Sequence, residues 1–218
     1  MKQESFFIVQ DENLIYKKTD AVVDVESCLV FSVGVSAEEL ASDKFFNFAC
    51  NKILEYTDSN TNLQSDCKDK NNATCKLIHL SLTKDSVITE NGAYNEAYLA
   101  SLRTFLKKFE EQEIFAFIEV QDFLLAERST VLGEQEDANT KKTGENFAEE
   151  FYYHLARRIK DCRSFIGFLL PVSIAKTCIE KLSVKHAHYV YFLQSTSTSK
   201  VDESIKSCAM HFSNFSKR

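Results

Sequence analysis

Three hydrophobic patterns divide this chain: unbroken apolar runs, helical repeats of apolar positions, and polar stretches between them. SFFIVQDENLIYKK sets two apolar stretches on either side of a polar DEN and predicts a β-hairpin. ESCLVFSVGV (26–35) predicts a buried strand ending at Gly34. In SAEELASDKFFNFACNKILEY, Ser36 precedes Glu39 by three residues, a helix-start signature. Leu40, Phe45, Phe48, Ala49, Ile53 and Tyr56 follow at helical spacing. Residues 57–75 have the composition of a solvated loop. KLIHLSL (76–82) predicts a strand, and a loop over 83–95 leads to a helix with Tyr98, Leu102, Phe105, Leu106 and Phe109 on one face. IFAFIEV (114–120) predicts another strand. A second polar loop, 121–144, then precedes a helix carrying Phe147, Phe151, Leu155 and Ile159. FIGFLLP, a helix over about 173–184 and HYVYFLQ (188–194) complete the series, and the tail is expected to form one short helix.

Apolar strands alternating with amphipathic helices are the pattern of βαβ units and a parallel sheet covered by helices. The fold class read from this is α/β: a partial (β/α) barrel-like domain over 1–218 with an N-terminal β-hairpin, the tail 195–218 being left unassigned. The two long loops both follow strands, where functional loops of such folds sit.

Composition narrows the function classes. A net charge of −6 argues against a general electrostatic grip on nucleic acid. The longest apolar run, 165–172, is far too short to span a bilayer, and the N-terminus lacks the apolar core of a secretion signal. A cytoplasmic location is the expectation, with neither membrane nor nucleic acid as partner. Five scattered glycines form neither a dinucleotide fingerprint nor a P-loop, so no nucleotide or other cofactor is implied. The chain has 18 Phe and 8 Tyr but no Trp, which weakens a sugar-stacking platform, although Tyr can substitute. Seven cysteines occur at irregular spacing. Cys67 and Cys75 bracket a polar loop and either close a small disulfide, help to bind a metal, or stay as thiols in a reducing compartment. His186 and His188 lie at period two, but no third metal ligand is suggested by spacing.

Three stretches together resemble the first half of a glycoside hydrolase barrel of the cellulase and β-mannanase type, family 5 and its clan. These are KLIHLSL with ENGAYNEAYLASLRTFLKKFEEQEIFAFIEVQDF, then GENFAEEFYYHLARRIKDCRSFIGFLLP, and the hairpin FFIVQDENLIYKK. The resemblance covers roughly 5–193. It implies an acid/base glutamate in an Asn-Glu-Pro at the end of the fourth strand. Aligned on Pro171, Asn falls on Leu169 and Glu on Leu170. The family's strand-two Arg has no counterpart in Leu77-Ile78-His79-Leu80, and Gln121-Asp122 replaces its strand-three histidine pair. The nucleophile would come from a seventh strand, and roughly five are expected here. Retaining hydrolysis needs two carboxyl groups about 5 Å apart.

The resemblance therefore implies a catalytically inactive, degenerate and truncated relative with a carbohydrate-binding or assembly role. The alternatives are a protein-interaction module, or an enzyme of another type using Asp122, Gln121 and His79 with loop carboxylates such as Glu90 and Glu134. Candidate ligand contacts are Gln121, Asp122, His79, Tyr94 and Glu90. Each has a plainer alternative: a backbone-bonded loop start for Gln121 and Asp122, a core position for His79, and a turn for the ENGAYN segment. Glu119, inside its strand, is expected to have no catalytic role. Five parallel strands cannot close a barrel of eight. The tail folds back as a cover, the sheet flattens, a homo-oligomer forms through the open sheet edge, or the chain is a decayed remnant that folds poorly.

Overall fold

Short runs of β-branched and aromatic residues become strands wherever they meet a partner. A computed structural model describes residues 5–10, 13–25, 28–61, 76–121, 138–194 and 209–212. Strands β1 (Phe7–Gln10), β2 (Asn13–Tyr16) and β3 (Ala21–Val23) form a small antiparallel sheet. The hairpin is the one expected from the sequence. Its third strand, AVV, is too short to declare itself by alternation.

The main sheet holds β4 (Leu29–Val33), β5 (Lys76–Thr83), β6 (Ile114–Gln121), β7 (Phe165–Pro171), β8 (Val190–Gln194) and β9 (Ala209–Phe212), all parallel and in sequence order. Between them run α1 (Ala37–Ala41), α2 (Asp43–Thr61), α3 (Lys84–Val87), α4 (Glu96–Glu111), α5 (Ala138–Ile159) and α6 (Val172–Ser183). Strands that neighbour in space in the order of the chain wind like a barrel wall, with no switch point of the doubly wound kind. The fold is α/β and partial-barrel-like.

Helices α2, α4, α5 and α6 all bury their apolar stripes in one cluster against one face of this sheet. All five residues expected along the face of α4 are buried there. The opposite face holds a second cluster, in which Phe7, Leu14 and Tyr16 of the small sheet meet Leu77, Phe115 and Phe117. The Phe115 ring lies 5.0 Å from that of Phe7 and 5.5 Å from that of Tyr16. The small sheet thus closes the end of the helix-free face where the strands begin.

Helix starts follow local chemistry. Ser36 accepts from the Glu39 amide at 3.2 Å, and Asn95 accepts from the Tyr98 amide at 3.1 Å. The expected continuous helix after Ser36 is instead two. Ser42 Oγ donates to the Glu39 carbonyl and accepts from the Phe45 amide, so one hydroxyl ends α1 and starts α2.

Other boundaries also move. Residues 57–61 and 138–144 are helical where loops were expected, and the 83–95 segment contains α3 and an Ile88–Tyr94 bridge. Within the tail, where a short helix was expected, 209–212 form β9, which pairs with Tyr191–Gln194. An unpaired β8 edge offers a hydrogen-bonding ladder that a short isolated helix cannot match.

Cys28, Cys162 and Cys178 are buried thiols, and burial pushes each up to about 12, so they behave as small apolar residues. Cys67 and Cys75 lie outside the described residues. No helix among the described residues is long and apolar enough to cross a membrane.

The turn entering β8 makes the fold acid-sensitive. The His186 ring stacks on Tyr189 at 4.9 Å, and His188 meets the same ring edge-on at 4.4 Å. Burial lowers both imidazoles below 6.5, and His188, Lys160 and Lys185 depress His186 further. Above 6.5 both rings are neutral whether the chain is folded or not. As pH falls below 6.5 the unfolded chain takes up protons first, so stability declines until the folded rings also protonate. Chemical denaturation between pH 7.5 and about 5 is expected to show this loss, and His186→Phe with His188→Phe to flatten it. An unchanged profile in the double variant would assign the loss to other groups.

Candidate functional site

Strands β4–β9 contain a single acidic residue, Glu119. Alternation along the strands decides which way it points. Phe31, Val33, Ile78, Leu80, Ala116, Ile118 and Val120 face the helices. Their neighbours Ser32, His79, Ser81, Phe117, Glu119 and Gln121 therefore face the helix-free side. Register places Ser32 beside Ser81, and Ser81 beside Glu119.

His79 is fully buried and stacks on Phe117, with ring centroids 4.8 Å apart and planes within 3°. Its Nε2 lies 3.0 Å from Glu119 Oε2, a diagonal cross-strand pair. Ser81 is 1% exposed, and its Oγ has no hydrogen-bond partner among the described residues. Gln121 is exposed at the end of β6 on the same side. Leu169 and Phe192, paired with one another and buried, continue this face.

The helix-free face is thus polar toward β5 and β6 and apolar toward β7 and β8. The polar half sets the Glu119 carboxylate against the His79 imidazole, and it presents hydroxyl and amide groups. Leu170, where the resemblance places the acid/base, is turned into the helix-side core. Leu169 faces the helix-free side. Neither side chain can exchange a proton.

Of the expected contacts, the structure brings His79 and Gln121 to one face. Asp122 and Glu134 lie outside the described residues. Glu90 is exposed in a turn where the Gly92 amide donates to Thr89 and Thr89 donates to Ala93. Tyr94 packs on the helix side, its ring stacked on His154 at 4.1 Å and meeting Phe151 edge-on at 5.8 Å. It helps to line a groove of about 530 Å³ beside α5 and α6 with Tyr153, Arg157 and Lys185, where Lys181 and Glu149 pair at 2.9 Å.

Glu119 and Ser81 were missed as members of the polar row. Their signal was there: a polar residue two positions from His79 in one strand, and two from Gln121 in the next, within otherwise apolar runs. No group of three metal-ligating side chains occurs among the described residues.

No protein-family model matches the chain, and no curated protein matches it. Among solved structures, an endo-β-mannanase/endo-β-glucanase of Prevotella bryantii is similar at 9% identity and a TM-score of 0.44, over 63% of this chain and 23% of that one. A glycoside hydrolase family 5 mannosidase of Rhizomucor miehei is similar at 10% identity and a TM-score of 0.42, over 94% of this chain and 58% of that one. The chain spans less than two thirds of the length of either.

Proposed function

We propose that this chain is a catalytically inactive, glycosidase-like domain that works by binding a carbohydrate or by assembly. One observation carries the inactive half of this reading: the sheet strands hold a single carboxylate, Glu119, and it is engaged with buried His79. Glycoside hydrolysis uses two carboxyl groups, about 5–5.5 Å apart for retention and about 6.5–9.5 Å apart for inversion. The positions that the sequence resemblance gives to the acid/base motif carry Leu169 and Leu170. The binding half is supported by the exposed Gln121 at the strand end and by the Tyr94 groove.

The test joins an activity assay on aryl β-glycosides to thermal melts with a panel of β-linked oligosaccharides. No turnover above buffer is expected, together with a melting transition raised by one glycan. Gln121→Ala should remove that shift if the strand end binds, and Tyr94→Ala if the groove binds. A transition indifferent to every sugar would sink the carbohydrate branch and leave assembly. Turnover abolished by Glu119→Gln would overturn inactivity. It would favour the second reading, an enzyme of another type using His79, Gln121 and Asp122, for which the close approach of Glu119 to His79 is the supporting observation.

A further inference from the structure

We propose that the outer face of the small N-terminal sheet is a contact surface for a second copy of this chain. A sheet with one solvated face reads apolar inward and polar outward. The inner face of this sheet is accounted for by Phe7, Leu14 and Tyr16, which pack under the main sheet. Its outer face is apolar as well. Ile8 lies opposite Ile15, and Ile15 opposite Val22, making one continuous aliphatic row across all three strands. Ile8 is 40% exposed and Val22 is 64% exposed.

Opposite charges flank this row. Lys17 continues the outward series of β2 from Ile15, and Asp24 continues that of β3 from Val22; both residues are exposed. Because β2 and β3 run antiparallel, the two sit on opposite sides of the row. Lys18, next to Lys17, is tied to Glu113 at 2.8 Å, and Asp20 occupies the intervening turn in a left-handed conformation. A two-fold axis in the plane of the face, perpendicular to the strands, lays the aliphatic row on its own copy. It also brings Lys17 of each chain over Asn13 of the other, one strand from Asp24 and within reach of it. Such a surface is self-complementary, as an isologous interface requires.

Its size limits its strength. Strands of three or four residues, rising about 3.4 Å per residue with neighbours about 4.8 Å apart, make a footprint well below that of a standard interface. The association is therefore weak and concentration-dependent. It stands independently of whether a glycan binds.

Sedimentation equilibrium from micromolar to millimolar protein tests this on the full chain, with circular dichroism to verify folding. The wild type is expected to self-associate, and Val22→Lys to weaken this by at least about tenfold. Lys17→Asp should also weaken it, and adding Asp24→Lys to that variant should restore association to near the wild-type level. A wild type that stays monomeric throughout overturns the proposal. So does association that survives Val22→Lys, which would place the contact elsewhere, such as the β4 edge. Failure of the charge swap to restore association overturns it equally, since the flanking charges are what select a second copy.

Discussion

Gly167→Ala is expected to prevent folding, or to cost more than about 4 kcal/mol. A Cβ at this position would lie 1.6 Å from the Val190 carbonyl oxygen, 2.7 Å from its carbon and 3.0 Å from its nitrogen. These are backbone atoms of β8, so no side-chain rotation relieves the contact. Gly167 sits where the register between β6 and β7 shifts, next to Phe117. The irregularity turns the Cα hydrogen toward the neighbouring strand, where a regular strand would point a side chain away from the sheet. Moving β8 aside would break the ladder from Gly167–Val190 to Pro171–Gln194 and uncover Phe192. Gly34→Ala is the control, because its Cβ would meet only the Thr83 methyl at 3.9 Å. Soluble yield and urea denaturation of the two variants are the measurements. Gly167→Ala melting within about 0.5 kcal/mol of the wild type would show that β7 and β8 are not paired in this register.

Glu119→Leu is expected to cost about 1–3 kcal/mol, the range for leaving a buried polar group without its partner. His79 is enclosed by the sheet and the Phe117 ring, and Glu119 supplies its carboxylate contact. Leucine removes that contact without exposing the imidazole to water. His79→Phe in the same chain should recover much of the loss, because a phenyl ring can keep the stack on Phe117 and needs no acceptor. A double-mutant cycle by chemical denaturation reads the coupling directly, with about 0.5–3 kcal/mol expected for a pair in contact. A coupling near zero would remove the Glu119–His79 pair from the helix-free face, and with it the second functional reading.

Much of the architecture was legible before any coordinates. The helical repeat of Tyr98, Leu102, Phe105, Leu106 and Phe109 fixed the buried face of α4, since only a 3.6-residue period puts those side chains on one stripe. The capping residue Ser36 and the hairpin around DEN were readable because their chemistry is complete within a few residues. Leu169-Leu170-Pro171 declared an apolar strand end in the same local way.

The candidate site was only half legible. His79 and Gln121 stand out as polar residues in apolar runs, but Glu119 was read without its partner. Tyr94 was read as a rim residue, and it packs beside α5 on the helix side. Which face a loop residue reaches depends on how its connection crosses the sheet, and no local pattern carries that.

What the sequence determined by itself was the order and type of most elements, the apolar stripes of the helices and the apolar end of the strand at Leu169-Leu170-Pro171. Each of these is a property of neighbouring residues. Tertiary structure alone decided that 209–212 joins the sheet, that His79 meets Glu119 40 positions along the chain, and that position 167 admits no side chain. These depend on register between strands distant in the chain. Pairing energy is gained only once the intervening segments have been brought together, so no single window of sequence contains it.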